Sequence, residues 1–361
     1  MSEKISLCFI CDENYVMPTV VAISSVIINK NKEDVYDIYV VSNNLSVEST
    51  DILEELGSES ARIIVVKTDN NDKYGRFAMK STYVTTTSLY KFDLPYLLPV
   101  ELGKVLYLDG DIIAQKNVAP IFNEDIENVY AGVVKDFYVE LKDKDDFRQR
   151  LNMNHKGYFN SGVLLLNLKK MREDNLPELL FQYRNSNKDK YMDQDTFNVV
   201  LKENIKYLSP FYNFMSACWV YNKDEIADYY KIGMVDTKYE WIKEALVIHY
   251  TGLKPWKYFD YFAADIWLHY YLLSPLKDVL LVRRSLNDER NVKKDNELAT
   301  VKKTVTEQKK KNEILQNHLM IVEKKVNNLT RELKSVKNGW SFRIGRVITF
   351  IPRMLKKCLK L

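Results

Sequence analysis

Short apolar runs alternate with helically spaced segments through the first 280 residues of this chain. Ile5–Cys11, Val35–Val41, Ala61–Val66 and Lys104–Leu108 are runs of strand length. Between them, Val16–Ile28, Ser46–Leu56 and Thr82–Leu98 place apolar residues at helical spacing and are predicted as helices. The second half continues in the same manner, with Val129–Val134, Tyr158–Leu168 and Ala245–Tyr250 as predicted strands. Asp136–Met153 is charged and predicted helical, and Met192 opens an amphipathic helix whose acids fall in its first turn, where the helix dipole favours them. Strands and helices alternating at this pitch predict a doubly wound α/β fold with a mostly parallel central sheet.

The pattern changes near residue 281. From Leu298 to Val336, Leu298, Val301, Val305, Gln308, Asn312, Leu315, Leu319, Val322, Val326, Leu329, Leu333 and Val336 follow a heptad, with only Gln308 and Asn312 polar. This predicts a coiled coil about 58 Å long at the rise of an α-helix. Asn312 at an a position is the kind of polar insertion that fixes register and favours a dimer. A single helix folded back on the body is the alternative. Beyond Gly339 the chain runs Trp340-Ser341-Phe342-Arg343-Ile344 to Leu361 with 6 basic residues and no acid. A basic amphipathic segment of this kind is expected to lie on an anionic membrane surface rather than on nucleic acid. The expected organisation is therefore a body at 1–280, a coiled coil at 281–338 and a basic tail at 339–361.

Charge sharpens that division. The net charge of +4 conceals a tail, Val282–Leu361, with 21 Lys and Arg against 8 Asp and Glu, and a body with 32 against 41. The cysteines Cys8, Cys11, Cys218 and Cys358 show no disulfide-like spacing. Cys8 and Cys11 are three apart on a predicted strand, so they face opposite ways and cannot share a metal. Neither a G-x-G-x-x-G nor a P-loop motif occurs, which argues against a dinucleotide oxidoreductase or a P-loop NTPase. The polar start and the lack of an apolar run of about 20 residues lead to the expectation of a cytoplasmic protein.

Candidate chemistry centres on Val105-Leu106-Tyr107-Leu108-Asp109-Gly110-Asp111. A buried strand ends there in two carboxylates separated by one glycine, at the sheet edge where ligands bind in such folds. Gly110 is expected to let the backbone turn so that both acids converge on a hard divalent cation. A D-x-D phosphatase is the wrong match, because Ile113 stands where that chemistry wants threonine.

Four motifs occur in order: Asp109-Gly110-Asp111; Phe159-Asn160-Ser161-Gly162 with its following apolar run; Asp193-Gln194-Asp195; and His249-Tyr250-Thr251-Gly252-Leu253-Lys254-Pro255-Trp256. Together they resemble family 8 retaining glycosyltransferases, the group of bacterial lipooligosaccharide galactosyltransferases and glycogenin, over roughly Ile5 to Asp260. The resemblance implies a GT-A type, Rossmann-like nucleotide-sugar domain. It implies uridine and ribose contacts from Ile10, Asp12 and Asn14, and metal ligands Asp109, Asp111 and His249, usually for Mn2+, with Mg2+ the alternative. Gly252 and Lys254 would contact the donor diphosphate; Gly110, Asn160, Asp193 and Gln194 would lie around the donor. Lys91 stands where the family commonly has an arginine, keeping the charge without the bidentate fork. The Gly252–Lys254 loop is also one residue shorter than in several relatives.

The implied reaction moves glucose or galactose from a UDP-sugar to a cell-envelope glycan or glycoprotein acceptor. Front-face attack within an ion pair, with Gln194 as polar support, is the favoured route, and a covalent intermediate on Asp193 the other. Asp136 is expected to reach the acceptor. The contrasting possibility is an inactive copy that assembles partners at the membrane through its coiled coil.

Overall fold

The computed structural model describes residues 4–68, 71–74, 86–153, 157–187, 189–258 and 261–276, and the helical residues Lys324, Asn327, Asn328, Thr330 and Arg331. The chain divides into two compact units, Met1–Leu281 and Val282–Leu361. The a and d positions of the expected coiled coil and the basic tail lie outside the described residues. No helix among the described residues is long and apolar enough to cross a membrane.

The strands of the first unit are β1 (Ile5–Ile10), β2 (Tyr36–Ser42), β3 (Ala61–Lys67), β4 (Val105–Leu108), β5 (Ile112–Ala114), β6 (Ala131–Lys135), β7 (Phe159–Leu166), β8 (Ile205–Tyr207), β9 (Phe214–Met215) and β10 (Val247–His249). Seven of them form the central sheet in the order β3-β2-β1-β4-β7-β6-β8. The strand order turns back at β1, which is flanked by β2 and β4, both parallel to it. This is the topological switch point at which such sheets open a crevice for ligands.

Burial on both faces explains the continuous apolar runs. On one face Leu7, Phe9, Leu106, Leu108 and Val163 pack with the helix Val16–Ile28. On the other, Cys8, Ile10, Val105, Tyr107 and Leu164 pack with Leu89, Phe92, Leu168, Leu180 and Phe197 from the covering helices. Cys8 and Cys11 accordingly belong to opposite layers, and burial pushes the Cys11 thiol up to about 12. They are packing residues.

The expected mostly parallel sheet is present, with one reversal that matters for the site. β7 runs antiparallel to both β4 and β6. Its first residues, Phe159-Asn160-Ser161, therefore lie at the same edge as the last residues of β4. A second sheet of three strands, β5-β10-β9, follows the acid pair directly. β5 and β9 are too short, at 3 and 2 residues, to show a periodicity.

Two predicted helices are replaced. Thr86–Asp93 is a tighter 3-10 segment leading into the short helix Leu94–Leu97. Pro95 lacks the N–H for a bond to Lys91 and crowds that carbonyl, so one continuous α-helix cannot pass through it. Asp136–Met153 forms two short helices, Phe137–Leu141 and Phe147–Leu151, each started by an aspartate cap, Asp136 and Asp146.

The segment that leads into β4 is fastened by one side chain. Arg172 donates from Nε to the Pro95 carbonyl (2.5 Å), and from its terminal nitrogens to those of Pro99 (2.9 Å), Val100 (3.0 Å) and Leu102 (2.8 Å). Arg172→Ala is expected to lower the unfolding free energy by about 2 kcal/mol in urea denaturation. Arg172→Lys should recover little, since an ammonium cannot span these carbonyls; full recovery would contradict the assignment.

Candidate metal and donor site

Backbone register delivers the acids and the histidine to one point. The Asp109 N–H donates to the Gly162 carbonyl (2.8 Å), which continues the β4–β7 ladder past its last strand residue. After the Asp-Gly-Asp turn, β5 pairs antiparallel with β10 so that Ile112 lies opposite His249. The Tyr250 N–H then donates to the Asp111 carbonyl (3.0 Å). Side chains 138 positions apart in sequence are thereby locked side by side.

Asp109, Asp111 and His249 each offer a ligand atom, and these atoms lie within 4.8 Å of one another. His249 Nε2 is 3.3 Å from Asp111 Oδ1 and 3.9 Å from Asp109 Oδ2. Two carboxylates and one imidazole suit a divalent ion such as Mn2+ or Mg2+. The space between them depends on Gly162. A Cβ there would run into His249 Cε1 and come within 2.6 Å of Asp109 Oδ2. The residues fit a bound cation.

The backbone turns at Gly110 as expected, and the structure adds a further reason for glycine there. Its backbone is not left-handed, and the other glycines on the binding loops show where that freedom is used: Gly252 has φ +87°. At Gly110 the constraint is space. An added Cβ would strike Thr19 Oγ1 and sit 3.1 Å from the Tyr15 ring.

Charge balance at the site comes from two lysines. Lys254 Nζ bonds Asp111 Oδ2, and also donates to the Tyr250 carbonyl at 2.8 Å. Tyr15 donates to the same Asp111 oxygen at 3.3 Å. Burial alone would raise the Asp111 carboxyl, but the Lys254 ammonium and His249 hold it well below the usual carboxylate range. Lys91 is buried between Asp109 Oδ1 (3.1 Å) and Asp193 Oδ2 (2.8 Å), donates to the Ser161 carbonyl (3.1 Å) and stands over the Tyr107 ring. Burial would lower this lysine, yet the two carboxylates raise it above its ordinary value, so it stays charged.

The expected sugar-binding residues form one buried network. Gln194 Oε1 accepts from Asn160 Nδ2 (3.0 Å) and from the Ser161 N–H (3.1 Å), while its Nε2 donates to Asp136 Oδ2 (3.2 Å). Asp193 Oδ2 accepts from both Lys91 and the Ser161 hydroxyl (2.8 Å). Asp195 turns away. Two positions along a helix is about 200° of rotation, and its carboxylate is taken by Arg150, by the Tyr158 hydroxyl (2.6 Å) and by the N–H groups of Lys190 and Tyr191.

Of the residues predicted from sequence, Asp109, Asp111, His249 and Lys254 meet directly, and Lys91, Asn160, Asp193, Gln194 and Asp136 meet beside them. Asp12 and Asn14 stand at the end of β1, where Asp12 Oδ1 accepts from the Asn14 N–H (3.0 Å), and Tyr15 joins that turn to Asp111. Ile10 is buried in the sheet below them. Gly252 sits on the loop after β10. Asp136 is drawn into the Gln194 network and caps its own helix through the Val139 N–H (3.1 Å). Sequence reasoning did not find Tyr15, Tyr107 or Asn213. Tyr107 donates to Asp109 Oδ1 (2.5 Å), and its place two residues earlier on the same strand face was the available signal.

Comparison with known proteins agrees with this geometry. The sequence pattern of glycosyl transferase family 8 matches residues 6–260. The chain belongs to that family, and so to the glycosyltransferases. The Lipopolysaccharide 1,2-glucosyltransferase of Escherichia coli (strain K12) is 29% identical over 260 residues, which are 71% of this chain and 73% of the relative. A Putative glycosyltransferase of Haemophilus influenzae is 26% identical over 217 residues, 59% of this chain and 64% of the relative's length, just under two thirds. Among solved structures, an active-site mutant of LgtC superimposes with a TM-score of 0.62 at 23% identity, over 75% of this chain and 96% of that one. The apo structure of the bifunctional glycosyltransferase WbbM gives 0.65 at 21%, over 78% of this chain and 52% of that one. These two share the doubly wound fold.

Lys254 occupies the charge of Asp111 and so competes with a cation. Lys254→Met is expected to tighten Mn2+ binding to the nucleotide-free chain by roughly tenfold, a difference of about 1.4 kcal/mol, in titration calorimetry. Weaker binding would show instead that the ammonium holds Asp111 in place for the ion.

Proposed function

We propose that this chain is a metal-dependent, retaining glycosyltransferase that moves a hexose, glucose or galactose, from a UDP-sugar to a cell-envelope glycan. The observation that carries the reading is the Asp109–Asp111–His249 cluster at the switch point, with Lys254 beside it. The lipopolysaccharide glucosyltransferase relatives support the choice of sugar and acceptor class.

Asp109, Asp111 and His249 Nε2 would hold the ion. When bound, a divalent cation supplies Lewis-acid stabilisation to the two phosphates of the leaving nucleoside diphosphate. Lys254 transfers its ammonium from Asp111 to the diphosphate and stabilises the charge that develops as the sugar–phosphate bond breaks. Asp12 and Asn14, just after β1, would face the uridine side of the crevice, with Ile10 buried in the sheet beneath them, and Gly252 gives the loop its left-handed turn.

Gln194 and Asp193 stand where the sugar would lie. Asp193 is a weakened nucleophile, because the Lys91 ammonium and the Ser161 hydroxyl both draw on its carboxylate through Oδ2. Gln194 is fixed on both sides by hydrogen bonds and serves as polar support to an oxocarbenium-like centre. These contacts favour front-face attack by the acceptor over a covalent intermediate. The intact set of ligands argues against an inactive scaffold. Asp136, bonded to Gln194, is the residue proposed to reach the acceptor. The heptad segment supports a dimer and the basic tail supports attachment to the inner face of a membrane, both on sequence pattern.

A panel of UDP-sugars incubated with the purified chain should show release of UDP from one of them only when Mn2+ or Mg2+ is present. Asp111→Asn should lower that rate by roughly a hundredfold or more. Turnover that is independent of metal, or unaffected by the substitution, would refute the reading.

A further inference from the structure

His249 can serve a cation only if the nitrogen aimed at the two aspartates carries a lone pair. A neutral imidazole has one protonated nitrogen and one bare one, and the partner of the first decides which is which. Here His249 Nδ1 lies 2.9 Å from Asn213 Oδ1. Asn213 is fully buried, at the entry to β9, the parallel neighbour of β10.

The orientation of the Asn213 amide follows from groups that cannot exchange donor for acceptor. The Gly162 N–H only donates, so the Asn160 atom it meets at 2.9 Å is the oxygen. Asn160 Nδ2 consequently faces Gln194 Oε1 (3.0 Å) and Asp136 Oδ2 (3.4 Å). That polarity is checked at the far end. The Ser161 N–H donates to Gln194 Oε1 (3.1 Å), and Asp136 accepts from the Gln194 amide. With Asn160 Oδ1 an acceptor, the Asn213 atom 2.9 Å away must be its NH2 group. Asn213 Oδ1 is left for His249 Nδ1, which must carry the proton.

We infer that Asn213 is a positioning residue that fixes His249 as the Nδ1–H tautomer, leaving the Nε2 lone pair for the cation and tying the metal ligand to Gln194. The chain Asp136–Gln194–Asn160–Asn213–His249 is continuous and buried, so the metal side and the sugar side of the site are held in one relative orientation. This inference rests on the metal-dependent reading above, yet it concerns a proton whose position can be read without sugar or nucleotide.

The test is nitrogen NMR on the full-length chain labelled at its 4 histidines, with the His249 signals assigned by their loss in His249→Gln. Spectra are recorded with saturating Mg2+, and again after chelation at a pH where one ring nitrogen is bare. The expected result is a proton on Nδ1 of the neutral ring in both states. A proton on Nε2 in either state overturns the inference. Asn213→Leu removes the acceptor and should weaken Mn2+ binding roughly ten- to a hundredfold. Undiminished affinity in Asn213→Leu also overturns it. Should the leucine variant fail to fold, the tautomer in the parent chain decides. A correct tautomer in a chain that turns over no UDP-sugar would leave the positioning role standing and the proposed activity refuted.

Discussion

Four carboxylates converge at one edge of the sheet, and their mutual repulsion is the constraint around which the site is built. Strand ends and helix starts bring them there, with Asp111, Asp136 and Asp193 buried and Asp109 half-buried. Buried like charges at such distances cannot all ionise without compensation. Two ammonium groups provide part of it: Lys91 between Asp109 and Asp193, and Lys254 on Asp111. Amide donors from Asn160 and Gln194 satisfy Asp136. Burial nonetheless pushes the Asp136 carboxyl up. One of the two counter-ions, Lys254, lies on a loop beside the crevice.

The fold meets this constraint by reversing one strand. Had β7 run parallel to β4, its Asn160-Ser161-Gly162 end would lie at the far edge of the sheet. Running antiparallel, it places Gly162 between Asp109 and His249 and aims Asn160 and the Ser161 N–H at Gln194. The small sheet contributes the second half. β5 continues from Asp111, β10 ends on His249 and β9 follows Asn213, so three short strands position two metal-directed side chains and the residue that orients one of them.

Much of this was legible in the sequence, for physical reasons that differ from element to element. The central strands read clearly because burial on both faces demands unbroken apolar runs, as in Val105–Leu108 and Val163–Leu166. The Asp-Gly-Asp turn stood out because two acids directly after such a run oppose burial. Strand direction was not legible, since a strand covered on both sides has the same composition whichever way it runs. The turn at Gly110 was legible, but the neighbouring Tyr15 and Thr19 also exclude a Cβ, and only packing reveals that. Asn213 carried no signal, because a lone asparagine before a two-residue strand matches no period or motif. Lys91 was found through resemblance alone, and only packing reveals its burial between two acids. The lysine spends its three donors on Asp109, Asp193 and the Ser161 carbonyl.

The most direct test of the central claim is anomalous diffraction, at the manganese edge, from crystals of the chain grown with Mn2+ and UDP. The account predicts one strong peak bounded by Asp109, Asp111 and His249 Nε2, with Lys254 Nζ moved from Asp111 to the diphosphate. Bound UDP with no peak at those three residues, or with Lys254 still on Asp111, would contradict it.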